Sequence, residues 1–98
     1  MEIICKYSVY LKYLNHEDAD LRFNALVLLG SITKAKDYVS VYRRCLRDKD
    51  TSIRALALRE LNKANREDLL GFKEEIEEML SEPDMKVKQA AINILKRL

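Results

Sequence analysis

From Met1 to about Asn15 the apolar residues Ile3, Ile4, Tyr7, Tyr10, Leu11 and Leu14 keep the i, i+3, i+4, i+7 spacing of one helix face. The polar run His16, Glu17, Asp18 breaks the pattern. Asp18 stands where an N-cap is wanted, its carboxylate able to accept a free backbone N–H of the next turn. A second helix is predicted from about Ala19 to Ser31 or Ile32, with Gly30 and residues 33–36 as its stop and turn. Asp37 can cap a third helix whose apolar side is Tyr38, Val39, Val41, Tyr42, Cys45 and Leu46. After the turn Arg47 to Asp50, a fourth helix is predicted to about Ala64, with Asp50 as its cap. Asn65 and Asp68 resemble a capping box, and Leu69, Phe72, Ile76, Met79 and Leu80 then hold helical period, weakened at Gly71 by about 1 kcal/mol relative to Ala. Ser81, Glu82 and Pro83 end that helix, and Asp84 caps a last one from Met85 to the C-terminus.

These elements repeat. Leu46, Asp50, Ile53-Arg54, Ala57 and Leu61 recur as Leu14, Asp18, Leu21-Arg22, Ala25 and Leu29, and again as Leu80, Asp84, Val87-Lys88, Ala91 and Leu95. Self-similarity at such a period marks a protein of stacked units, none of which can bury its apolar face alone. The chain is therefore expected to be one domain, residues 1–98, of three units at about 1–32, 33–64 and 65–98. On a wheel of about 100° per residue, Leu21, Ala25, Leu28 and Ile32 share one face, with Ala25 where the paired helix comes closest.

A helix pair per unit, with Asp-x-x-(apolar)-(Arg or Lys) opening the second helix and Ala four residues after that apolar position, resembles the HEAT-repeat family. Asp18, Asp50 and Asp84 match the family's Asp, Arg22, Arg54 and Lys88 its basic position, and Ala25, Ala57 and Ala91 its small residue. Gly30 keeps a small residue after the closing Leu in the first unit only. The resemblance implies an all-α, right-handed α-solenoid of three antiparallel hairpins, about six helices, with the second helices lining the concave face. As to activity it implies mainly a scaffold.

Spacing by four places each of Arg22, Arg54 and Lys88 within helical reach of its own Asp. They are expected to form a ladder of ion pairs with Asp18, Asp50 and Asp84, or with the Asp of the next unit. The side of the second helices facing away from their partners carries Phe23, Leu26 and Val27, then Ala55, Leu58, Arg59 and Asn62, then Gln89, Ile92 and Asn93. Phe23, Leu26, Val27, Leu58, Arg59 and Ile92 are thus the candidate partner-binding set, a groove for an apolar helix or loop of another protein, with packing of the Leu26, Leu58 and Ile92 row on the adjacent unit as the other reading. Phe23 and Val27 lie almost opposite the core face. With Tyr7 and Tyr10 they are the candidate contact for a second copy of the chain or a partner protein.

The 98 residues include two Gly and one Pro, with 35% charged, which suits helices. The net charge of +2 is too small to imply a polyanionic partner, but it is unevenly spread. Residues 34–66 hold ten basic against four acidic groups, and residues 67–84 one against eight. Arg43, Arg44 and Arg47 lie in the basic stretch and are the contacts expected if the chain binds nucleic acid, the alternative function. Glu74, Glu75, Glu77 and Glu78 offer these cations another destination, within the chain or across copies. Cys5 and Cys45 have no ligand-spaced neighbours and read as reduced thiols of a cytoplasmic protein. The lone His16 in a polar turn cannot make a ligand triad, and no serine or cysteine has the context of a nucleophile, so no catalytic residue, metal or cofactor is expected. The longest uncharged run is far short of a membrane span.

Overall fold

The computed structural model describes residues 12–32 and 39–98. Every regular element among them is helical: α1 Ala19–Ile32, α2 Val39–Cys45, α3 Thr51–Leu61, α4 Arg66–Leu70, α5 Lys73–Glu78, a 3₁₀ turn Met79–Ser81, and α6 Met85–Leu95. The predicted first helix survives in this range only as Lys12 and Tyr13, and Cys5, Tyr7, Tyr10, Asp37 and Tyr38 lie outside the described residues.

The three second helices start alike because the same local bond is made each time. Asp18 Oδ1 accepts the N–H of Asp20 at 2.9 Å, Asp50 Oδ1 that of Ser52 at 2.8 Å, and Asp84 Oδ1 that of Lys86 at 2.9 Å. Each cap satisfies a donor that the helix cannot, a contribution of about 1 kcal/mol. α3 lies at the centre, packed against α1, α2 and α6. Its Ile53, Ala57, Leu58 and Leu61 are fully buried, as are Val87, Ala91 and Ile94 of α6. Ala57 and Ala91 are the small residues that let neighbouring elements approach.

Four local expectations are corrected. The third outer helix is not continuous: Gly71 and Phe72 separate α4 from α5, with the N–H of Phe72 bonded to Leu69 O at 3.2 Å, three residues back. Leu69 and Phe72 are both buried, so the tightened turn brings two apolar anchors inward where helix propensity is lowest. α3 stops at Leu61, and residues 62–64 form a turn held by bonds such as Ala64 N–H to Leu61 O. Gly30 lies inside α1 and does not stop it. It lies against the carboxylate of Glu60 of α3, the movable end of a side chain that would have to shift to admit a Cβ.

In α1 the buried residues are Arg22, Ala25, Leu26 and Leu29, whereas Leu21 and Leu28 are 38% and 44% exposed. The arc is rotated from the expected one because α1 packs on α3.

Candidate functional site

The aligned second helices create two features: a clasp between units at their turns, and a groove along their outer side.

The clasp differs from the predicted ladder. The guanidinium of Arg22 bonds the carboxylate of Asp48 twice, Nε to Oδ2 at 2.9 Å and a terminal nitrogen to Oδ1 at 3.0 Å. Its other terminal nitrogen donates to the carbonyls of His16 and Glu17 at 2.8 and 3.0 Å. Arg54 repeats the arrangement one unit on. It donates to Asp48 O at 2.6 Å and to Glu82 Oε2 at 3.1 Å, while its Nε stands 2.8 Å from Glu82 Oε1, close enough for an ion pair but without hydrogen-bond alignment. The acids are therefore Asp48 and Glu82, two residues ahead of the capping Asp50 and Asp84, and the caps stay engaged with their own helices. The reason is geometric: an arginine directed across the unit boundary meets the turn that precedes the next helix, not the cap pointed into it. Asp48 also accepts the N–H of Asp50 at 2.9 Å, so one carboxylate shapes the turn and receives the neighbouring unit. The Asp48 hydrogen bond holds the Arg22 pKa above its ordinary value. No carboxylate among the described residues lies within ion-pair distance of Lys88.

The second feature lies on α1, α3 and α6. Phe23, Ala55, Leu56, Leu58, Arg59, Asn62, Met85, Gln89, Ala90 and Asn93 are among the residues lining a groove of about 670 Å³. Met85 is 67% exposed, and Gln89 donates to Asn93 Oδ1 at 3.0 Å, which fixes two amides along one wall. The groove thus has an apolar floor with an amide and cationic rim.

Several members of the predicted binding set move. Leu26 and Leu58 are fully buried, and Leu26 does not line the groove. A helix flanked by both a partner helix and a neighbouring unit has an apolar arc wider than one face, and these leucines fill the second side of it. Ile92 is half-buried and also lies outside the groove lining. Phe23 is half-buried against the core at the groove edge, Val27 is exposed, and Arg59 lines the groove with its side chain in solvent. Met85 was not singled out by sequence, although its place at the first position of a capped helix is a usable signal.

The basic residues are partly committed within the chain. Arg43 pairs with Glu75, its Nε 2.6 Å from Oε1, and its guanidinium lies 5.9 Å from the centre of the Phe72 ring. That hydrogen bond holds the Glu75 carboxyl below its ordinary pKa. Arg44 reaches Asn15 Oδ1 at 3.2 Å, and Arg47 is exposed. Tyr42 is buried and offers no face for a base to stack on.

Cys45 is a free, buried thiol, and burial, with a smaller effect from Asp48, pushes its pKa from 9.0 to about 11. Between those values the unfolded chain has lost the thiol proton and the native chain retains it, so stability falls as pH rises. The expected loss attributable to Cys45 is about 1.4 kcal/mol per pH unit across that window. Urea titrations at several alkaline pH values, compared with Cys45→Ala, should show a shallower decline in the variant. Equal slopes would place the thiol in contact with water.

Among the described residues, no group of three or more His, Cys, Asp or Glu side chains is placed to hold a metal ion, and no helix is long and apolar enough to cross a membrane. His16 is exposed, with Nδ1 accepting the N–H of Asp18 at 3.0 Å. No family model, curated protein or solved structure matches the chain.

Proposed function

We propose that the chain is a small, non-enzymatic HEAT-like module that binds an apolar helix or loop of a partner protein in the groove along its second helices. The observation that carries this reading is the groove itself, an apolar floor that includes Phe23, Ala55, Leu56 and Ala90, with the strongly exposed Met85 and the amides of Asn62, Gln89 and Asn93 beside it. An exposed, flexible thioether adapts its shape to an apolar side chain, and fixed amides supply orientation. The free thiol of Cys45 supports a reducing, cytoplasmic setting.

The test compares two surfaces. The chain with Met85→Glu and Arg59→Glu should lose at least tenfold in affinity for a partner captured from nuclease-treated lysate, equivalent to about 1.4 kcal/mol, with its thermal stability unchanged. A chain with Arg44→Glu and Arg47→Glu should bind as the parent does. The reverse outcome, with capture abolished by nuclease, would instead favour nucleic acid on the basic surface.

A further inference from the structure

The second unit pairs with the third through Arg43 and Arg54, and the 34-residue repeat puts counterparts of these cations and of their apolar neighbours on the far side of the third unit. Advancing by 34 residues, Leu46, Leu58 and Leu61 become Leu80, Ile92 and Leu95, while Arg43 and Arg54 become Glu77 and Lys88. The three leucines of the second unit are buried to within 1%. Their counterparts are not: Leu80 is 39% exposed, and Ile92 and Leu95 remain partly open. This face is separate from the groove, whose lining includes none of the three.

Charge identifies what fits it. The second unit offers two cations, Arg43 and Arg54, and the third unit answers with two anions, Glu75 and Glu82. The outer face of the third unit instead carries one anion, Glu77, and one cation, Lys88, whose ammonium has no carboxylate partner among the described residues. A surface with one of each sign complements neither an acidic nor a basic face, but it complements its own two-fold image. The two groups also match in height. At about 1.5 Å per residue in an α-helix and about 2.0 Å in the 3₁₀ turn, Glu77 stands roughly 9 Å before the turn at residues 82–84 and Lys88 about 6 Å after it, within about 3 Å of the same height. A two-fold axis parallel to the helices lays α5 of one copy over α6 of the other and preserves height, so each Glu77 meets the opposite Lys88. The other two-fold arrangement, with the axis across the helices, stacks acidic α5 on acidic α5 and is disfavoured.

We infer that the outer face of α5 and α6 is an isologous docking surface for a second copy of this chain, joined by two Glu77–Lys88 pairs around a patch of Leu80, Ile92 and Leu95. Residues 67–84 carry one basic and eight acidic groups, and residues 85–98 four basic and none acidic, so the long-range field favours the same alignment.

Sedimentation equilibrium on the whole chain tests this, with circular dichroism confirming that each variant is folded. The parent should show a monomer–dimer equilibrium. Glu77→Lys or Lys88→Glu alone should each weaken the dimer at least tenfold, and the double exchange should restore it. Leu80→Lys, at a side chain already open to water in the monomer, should weaken it without touching either charge. A parent that remains monomeric, a dimer indifferent to the single exchanges, a double exchange that fails to restore it, or assemblies that grow beyond two copies would each overturn the inference.

Discussion

Replacing Arg22 with alanine is expected to lower the urea midpoint clearly below the parent's, because it removes one member of a largely buried ion pair. The Arg22 side chain is 7% exposed and that of Asp48 12%, and the carboxylate left behind loses both bonds of the guanidinium. The substitution also removes the donor to the carbonyls of His16 and Glu17, which hold the first turn in place. Urea denaturation followed by circular dichroism measures the loss. Arg22→Lys should recover only part of it, because an ammonium cannot supply the two parallel bonds that the guanidinium makes to Asp48 while also reaching the turn. An alanine variant that unfolds at the parent's midpoint would class the contact with solvent-exposed pairs and dissolve the clasp as a device joining units.

Leu58→Ala should destabilise the protein by about 2–5 kcal/mol, because a fully buried leucine in the central helix leaves a cavity that neighbours on both sides cannot fill. Met85→Ala, by contrast, should change stability by less than about 0.5 kcal/mol, since that side chain lies mostly in water. The pair of measurements separates core from rim. If Leu58→Ala were neutral, the leucine would face solvent and the apolar row read from the helical wheel would stand as an open surface.

Local chemistry was legible in the sequence, and chemistry between units much less so. Asp18, Asp50 and Asp84 could be placed because a cap bonds an N–H two or three residues ahead, a distance that the sequence itself fixes. The all-helical class followed from the same periodicity. Arg22 and Arg54 were recognised as ion-pairing positions, but their partners depend on how far one unit is shifted against the next, which no wheel contains. A signal for it existed: an acid stands two residues ahead of the cap in two of the three units, as Asp48 and Glu82, with His16 in the other. A helical wheel leaves two readings for Leu26 and Leu58, an open groove or packing on the adjacent unit, and their burial selects the second. A single helix pair has one apolar face, while a pair with a stacked neighbour has two, and the sequence alone does not say where the second ends. The break at Gly71 was foreseen as weakness but not as a turn, since only the inward pull on Leu69 and Phe72 converts one into the other.

The proposed function is tested most directly by a photo-crosslinking residue placed at Met85 in the groove and, separately, at Arg47 on the basic surface, in otherwise unaltered chains incubated with nuclease-treated lysate. The account predicts a discrete protein adduct from position 85, suppressed by Arg59→Glu, and none from position 47. Adducts from position 47 alone, or a position-85 adduct indifferent to Arg59→Glu, would contradict it.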